Sequence, residues 1–316
     1  MCCSVPRASR VAIHRLSGSP TTVSTATKVG RRNFCSRCYA RRAPLRRYHR
    51  LVNTVDRNAR IEGCTAFVTG ANQGIGKGFV EVLLERGAKK IYAAARRPET
   101  LESLTALDSA RVVALPLDIT IATQRVAAFA AAPDVDLLIN NAGIGGSEEP
   151  AERRFLAATS LADARLVMET DFWAQIEMCR GFATALQQGA RRGRRPAIVN
   201  ILSVGALFCV VEYSTYSAAK VALAFATIGL RAEFESSGVS VHGVYTGSVD
   251  TRISARNPHA KTSPPDHARE VLDAVERDEA DIYAGLGARE ILNAVRADPE
   301  NFQRERVRRF RDDPLR

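Results

Sequence analysis

The chain has 316 residues, of which 46% are apolar and 25% charged, so it is long enough to bury a sizeable core in one domain. The sequence contains no apolar run long enough for a transmembrane helix, so no membrane span is predicted. The net charge of +11 lies at one end, because residues 1–55 hold twelve basic and no acidic side chains, while the rest of the chain holds 33 basic and 34 acidic ones. The body therefore has no basic excess, and nucleic acid is not predicted as its partner.

The N-terminal segment, residues 1–58, is predicted to be a disordered basic leader. It is rich in Arg, Ser and Thr and has little apolar periodicity. Three interpretations stay open: an organelle transit peptide, upstream sequence included by a wrongly assigned start near residues 52–55, or a disordered basic tail. The folded domain is predicted at residues 59–316. We expect it in the cytoplasm, or in the mitochondrial matrix if the leader is a transit peptide.

From residue 62 onward, short apolar runs alternate with longer amphipathic ones. This alternation predicts an α/β fold, a single doubly wound parallel sheet of the Rossmann type with its ligand at the carboxyl ends of the strands. The C-terminal region, from about residue 281, is predicted to add one strand and one charged helix. The main predicted strands are 64–68, 90–95, 111–117, 135–139, 197–202 and 239–245, and the predicted helices are about 75–86, 121–131, 160–190 and 214–236.

The first predicted strand runs directly into TGANQGIGKG, just before the first helix. Gly70, Gly74 and Gly76 allow a tight turn and a close approach of the backbone to a pyrophosphate, and the helix N-terminus offers free N–H groups. A plain glycine-rich turn is the alternative. We predict a dinucleotide site, with contacts from these glycines and from the intervening Gln73 and Ile75.

The second predicted strand ends in two arginines, at the place where NAD-binding sites often carry an acid for the ribose 2′-hydroxyl. Arg96 lies twenty residues after Gly76. A guanidinium pairs with a 2′-phosphate, whereas a carboxylate would repel it. The sequence therefore favours NADP(H) over NAD(H), unless the arginines only solvate the strand end.

Two tyrosines precede Lys220 in YSTYSAAK, residues 213–220, but only Tyr216 lies four residues before it. On a helix this spacing places both side chains on one face, roughly 6 Å apart along the axis. An ordinary tyrosine has a pKa near 10, so a cation one turn away is useful to a tyrosine acting as general acid/base. Ser203, thirteen residues before Tyr216, follows the fifth predicted strand.

Five motifs in this order resemble the short-chain dehydrogenase/reductase family, the group built on a single domain. The motifs lie within residues 62–255, and the last 60 residues match none of them. They are TGANQGIG (69–76), LDIT (117–120), NNAG (140–143), Ser203 at its spacing, and YSAAK (216–220).

The resemblance implies a catalytic role for three side chains. Tyr216 would protonate a carbonyl oxygen in reduction or deprotonate an alcohol in oxidation. Lys220 would also hold the nicotinamide ribose, and Ser203 would hydrogen-bond the substrate oxygen. The hydride chemistry would belong to the cofactor.

The resemblance also implies further cofactor contacts. Asp118 would bind the adenine amino group, and the NNAG segment would border the adenosine. After the sixth predicted strand, this chain has Thr-Gly where the family commonly has Pro-Gly, which leaves the loop less rigid. The residues implied here are Asp118, Asn140, Asn141, Val249 and Thr251.

One departure falls in the predicted helix 160–190. The family usually has an Asn whose backbone carbonyl holds a water of the proton relay, whereas METDFWA places Asp171 there. A backbone role survives this change. The carboxylate is expected either to raise the pKa of Tyr216 or to pair with Lys220.

The function predicted on these grounds is an NADP(H)-dependent oxidoreductase acting on a carbonyl or secondary alcohol of a small lipophilic compound. The alternative is a catalytically impaired NADP-binding sensor or scaffold protein. No metal site is predicted. The helices predicted at 160–190 and 214–236 resemble the pair through which family members dimerise, so a homodimer or homotetramer is expected.

Overall fold

A single parallel sheet forms the centre of the fold. The computed structural model describes residues 61–255 and 260–312, so the predicted leader lies outside the described residues. The strands are β1 (Thr65–Thr69), β2 (Lys90–Ala95), β3 (Val112–Pro116), β4 (Leu137–Asn140), β5 (Ala197–Ile201), β6 (Ser240–Thr246) and β7 (Asp281–Ala284). Their order across the sheet is β3-β2-β1-β4-β5-β6-β7, and every neighbouring pair is parallel. The predicted doubly wound parallel sheet is confirmed.

Helices α1 to α7 lie between successive strands and cover both faces of the sheet, and α8 and α9 follow β7. Helices α1 and α7 pack with the apolar side chains of one face, and α3, α5 and the end of α6 pack with those of the other. Within these ranges, no helix combines the length and the apolar character that crossing a membrane requires. The helices are α1 (Gly74–Glu85), α2 (Glu102–Thr105), α3 (Ala122–Ala131), α4 (Ala162–Met168), α5 (Ala174–Arg191), α6 (Ser214–Phe234), α7 (Pro264–Glu276), α8 (Ala288–Ala297) and α9 (Pro299–Asp312).

The sheet order reverses between β1 and β4. After β1 the chain moves outward to β2 and β3, and it then returns to pair β4 with the other side of β1. The connections therefore leave a crevice between the carboxyl ends of these two strands, which is where open α/β sheets bind ligands.

The helix predicted at 160–190 is interrupted. A π-helical turn, Glu169–Trp173, separates α4 from α5. Such turns are often found at functional sites. This turn carries Asp171.

The C-terminal region differs from the prediction in two ways. Helix α7 was not predicted, although Ser263 caps its N-terminus by accepting the Asp266 N–H at 3.2 Å and Pro264 occupies its first turn. The single charged helix expected after β7 is two helices, because Pro299 lacks an N–H and disfavours a helical conformation at Asp298.

One buried histidine on α7 makes the stability of this fold depend on pH. His267 is 0% exposed, and neither ring nitrogen has a hydrogen-bond partner among the described residues. Burial lowers the pKa of His267 from its ordinary value of 6.5 to about 4. As the pH falls, His267 of the unfolded chain therefore binds a proton at a higher pH than His267 of the folded protein. The stability that the neutral histidine contributes above pH 6.5 is lost as the pH falls from 6.5 to 4.

Between pH 6.5 and 4, His267 is expected to lower the free energy of unfolding of the wild type by on the order of 3 kcal/mol, since each unit of pKa shift corresponds to about 1.36 kcal/mol. We expect His267→Leu to abolish this decrease. Urea unfolding at pH 4, 5, 6 and 7 measures this difference. A variant whose stability falls with acid as steeply as that of the wild type would show that His267 is not the group responsible.

Candidate active site

The glycine loop after β1 has the shape of a phosphate cradle. Gly70 and Gly74 have φ values of +63° and +54°, which side-chain-bearing residues rarely adopt. A Cβ on Gly76 would lie 2.2 Å from the Gly70 carbonyl oxygen, so the helix and the loop pack too closely for any side chain there. Gln73 precedes α1 without capping it by its side chain, which leaves the N–H groups of the first turn for an anion. The loop therefore fits the pyrophosphate of a dinucleotide.

The NNAG segment holds this loop in place. Asn141 Nδ2 donates to the carbonyl oxygens of Thr69 at 2.9 Å and Gly70 at 3.1 Å. Thr69 Oγ1 accepts the backbone N–H groups of Asn141 and Ala142 at 2.9 and 3.0 Å. Thr69 was not singled out from the sequence, although it begins the TGANQGIG motif. Its hydroxyl joins the ends of the two central strands.

Asn140 has a different environment from Asn141. Its side chain is 0% exposed, and its Nδ2 donates to Asn200 Oδ1 at 2.9 Å. The side chain of Asn140 is therefore committed to the core below the crevice, while Asn141 shapes the loop itself. Asn200 was also missed from the sequence, because a single Asn inside an apolar strand carries no distinctive pattern.

Two predicted adenosine-side residues lie at the carboxyl ends of neighbouring strands. Arg96 follows β2, is exposed, and makes no ion pair within the ranges that the structure describes. Asp118 lies just beyond β3, where its Oδ1 accepts the N–H of Thr120 at 2.9 Å and its hydroxyl at 2.6 Å. The structure thus leaves a guanidinium open to solvent and holds a carboxylate in one orientation along the same edge.

The loop after β6 closes over the glycine loop. The Cγ2 of Thr251 would lie 3.2 Å from a Cβ on Gly74, so this side chain rests directly on the cradle. Val249 is 2% exposed and pairs in parallel with Thr262. Thr251 therefore lies beside the predicted pyrophosphate site, and Val249 anchors the segment that carries it.

Tyr216 and Lys220 lie on one face of α6, as their spacing predicts. The Lys220 Nζ is 5.5 Å from the centroid of the Tyr216 ring. Lys220 is 3% exposed, and its Nζ donates to the Ile201 carbonyl oxygen at 3.1 Å. Ser203 caps the 3₁₀ turn after β5, and a hydrogen bond from its hydroxyl acts on Tyr216. The three side chains therefore meet at the carboxyl edge of β5.

Asp171 forms a buried ion pair with Lys220. Its Oδ2 lies 3.1 Å from the Lys220 Nζ, its Oδ1 accepts the Ile144 N–H at 2.8 Å, and it is 0% exposed. Burial raises the pKa of Asp171 although Lys220 opposes this shift. Burial alone would lower the pKa of Lys220, but the charges of Asp171 and Tyr216 outweigh it and raise that pKa.

These charges set the protonation of Tyr216. Burial raises the pKa of Tyr216, Lys220 lowers it, and Asp171 raises it again, so that the pKa is above its ordinary value. Both effects expected of a carboxylate at position 171 are therefore present, since it pairs with the lysine and also raises the tyrosine pKa. Tyr216 is protonated at neutral pH, the state that donates a proton.

The chain is similar to known proteins over most of the described residues. A family model described as short chain dehydrogenase matches residues 64–262. A short-chain dehydrogenase of Penicillium crustosum is 32% identical over 253 residues, covering 74% of this chain and 86% of the relative. A 3-oxoacyl-(acyl-carrier-protein) reductase of Vibrio cholerae is 30% identical over 209 residues, covering 64% of this chain and 81% of the relative.

Solved structures give a similar result. A short chain dehydrogenase from Burkholderia cenocepacia, solved in complex with NADP, has a TM-score of 0.70 and 35% sequence identity. The likeness covers 78% of this chain and 99% of that protein. The residues of the site described above lie within the range that the family model matches.

Proposed function

Because this chain belongs to the short-chain dehydrogenase/reductase family, we propose that it transfers a hydride between NADP(H) and a carbonyl or secondary alcohol of a small lipophilic compound. The observation that carries this proposal is the meeting of Ser203, Tyr216 and Lys220 at the sheet edge that also bears the glycine cradle. When bound, the nicotinamide supplies or accepts the hydride.

The protein's own residues handle the proton and the orientation of the reactants. Tyr216 gives its phenolic proton to the carbonyl oxygen in reduction and takes it back in oxidation. Ser203 holds the same oxygen by a hydrogen bond. Lys220 has two protein acceptors, Asp171 and the Ile201 carbonyl, so one ammonium hydrogen is left for the nicotinamide ribose. The buried pair with Asp171 holds this ammonium in position.

The choice of NADP(H) rests on Arg96. Its side chain is exposed at the end of β2, with no carboxylate at that strand end to repel a 2′-phosphate. The Burkholderia relative was solved in complex with NADP, which supports the same cofactor here.

Arg96→Ala is expected to weaken NADPH binding roughly ten- to a hundredfold, since a hydrogen-bonded charge pair contributes about 1.5–3 kcal/mol. NADH binding should change little. Titration of nicotinamide fluorescence measures both affinities, and Arg97→Ala is a matched control because it removes the neighbouring exposed arginine. Equal affinity of the wild type for NADPH and NADH would refute the NADP assignment.

A cofactor-binding protein without turnover is the second candidate function. The ion pair between Asp171 and Lys220 favours it, because the carboxylate offsets the cation beside Tyr216. Incubation of the wild type with NADPH and a panel of ketones and aldehydes separates the two candidates. Tight NADPH binding without oxidation in the presence of any compound would select the sensor or scaffold.

We further propose that the protein forms a homodimer or homotetramer through α6 and the π-helical turn before α5. Phe225 and Ile228 on α6 are 73% and 53% exposed, and Trp173 is 53% exposed. Burying apolar side chains of this size against a second copy would stabilise the assembly.

A further inference from the structure

Arg153 carries a buried guanidinium. It ends the 3₁₀ turn Pro150–Arg153 after β4 and is 5% exposed. Its Nε is buried without a hydrogen-bond partner, and no carboxylate among the described residues forms an ion pair with it. The guanidinium Cζ lies 4.2 Å from the centroid of the Tyr213 ring, a contact that compensates only part of the cost of burying a charge.

The loop that packs against Arg153 also contacts the reaction centre. In the loop after β4, Ile144 donates its N–H to Asp171. The next residue, Gly145, faces the Tyr213 ring, and Gly146 faces Arg153. Cβ atoms built on the two glycines would lie 3.7 Å from the Tyr213 Cε1 and 3.2 Å from the Arg153 Cγ. Because consecutive Cα atoms are about 3.8 Å apart, roughly 7 Å of backbone separates residue 144, which contacts Asp171, from residue 146, which contacts Arg153.

Two further guanidinium groups stack on aromatic rings at α9. The guanidinium of Arg154 lies over an α9 phenylalanine ring at 4.8 Å, and that of Arg306 lies over the Phe208 ring at 5.2 Å. Asp163 is the acid on the other side of residue 146, but it forms no ion pair with Arg153, and its Oδ2 is buried without a partner. The loop after β4 and the Tyr213 ring therefore bury a cation that a bound anion would neutralise.

We propose that Arg153 binds a carboxylate of the substrate, so that the compound reduced or oxidised is a keto acid or hydroxy acid with a short apolar spacer. This inference rests on the proposed function, because it assigns a substrate class to that same site. The acid group pairs with Arg153 while the reacting carbon lies beside Tyr216, and the guanidinium thereby gains a counter-charge that none of the described residues supplies.

The test uses matched substrates. NADPH oxidation is followed with 3-oxohexanoate and 5-oxohexanoate, and with the methyl ester of each. In the wild type we expect kcat/KM for the acids to exceed that for the esters by about tenfold or more, as expected for a hydrogen-bonded charge pair. Arg153→Met should bring this ratio close to one, mainly through the KM of the acids. Arg154→Met, which removes the neighbouring guanidinium, should retain the ratio.

A binding measurement separates this inference from the proposed function. The Tm of the NADP⁺-loaded protein should rise with the acids and not with the esters, and Arg153→Met should abolish the rise. If no compound is reduced but the acids still raise Tm through Arg153, the proposed activity fails and the anion site stands. The inference is overturned if acids and esters behave alike in the wild type, or if Arg153→Met keeps the preference for acids.

Discussion

Tyr216→Phe is expected to lower the rate of NADPH-dependent carbonyl reduction by roughly 10²–10⁴-fold, the usual contribution of a positioned general acid. The substitution removes one hydroxyl and keeps the ring, which lies 5.5 Å from the Lys220 Nζ. The ion pair between Lys220 and Asp171 does not involve the tyrosine hydroxyl, so NADPH affinity should change little.

Single-turnover oxidation of bound NADPH measures the chemical step, and fluorescence titration measures cofactor affinity. Tyr283→Phe is a suitable control, because it also removes one phenolic hydroxyl, from a ring on β7 that stacks on Tyr245. A Tyr216→Phe variant that reduces carbonyl compounds as fast as the wild type would show that the proton comes from another group.

Lys220→Met is expected to destabilise the protein by about 3–5 kcal/mol, the usual result of removing one partner from a buried ion pair. Asp171 would keep its backbone hydrogen bond to Ile144 but lose its only described cation. It is 0% exposed, so water cannot replace the ammonium. Urea unfolding near neutral pH measures the loss.

A second variant distinguishes loss of charge balance from loss of packing. Asp171→Asn combined with Lys220→Met leaves two neutral side chains, and it should recover most of the stability that the single substitution loses. Arg180→Met is the surface control, because its ion pair with Glu177 is exposed and such pairs contribute about 1 kcal/mol or less. If the double variant is as unstable as Lys220→Met, the loss of stability comes from the packing around the aliphatic part of the Lys220 side chain and not from the unpaired charge.

The elements predicted from periodicity agree well with the structure where the pattern is local. The glycine loop, the run of strands and the spacing of Tyr216 and Lys220 all depend on residues close together in the chain, and the structure places them as expected. Helix α7 had local signals of its own, Ser263 and Pro264, and was missed although they are typical of a helix start. Pro299 was likewise a local signal for the break between α8 and α9, and the prediction of a single C-terminal helix did not take it into account.

Other features of the site depend on residues that lie far apart in the chain. The sequence shows Asp171 where an Asn is usual in the family, but it does not decide between pairing with Lys220 and acting on Tyr216; the packing of the π-helical turn against α6 produces both effects. The bonds from Asn141 to the glycine loop likewise join residues 71 and 72 positions apart.

The sequence by itself determined the fold class and predicted where the candidate site lies, because the alternation of apolar runs and the glycine and tyrosine motifs are local properties of the chain. Only the tertiary structure decided which charges are buried and paired. Arg153 is one of several arginines in a polar stretch of sequence, yet the packing of the loop after β4 against Tyr213 buries it with no ion pair to a carboxylate of the described residues. The cost of a buried charge depends on the distance to its partners and on the exclusion of water, and both quantities exist only once distant segments have packed together.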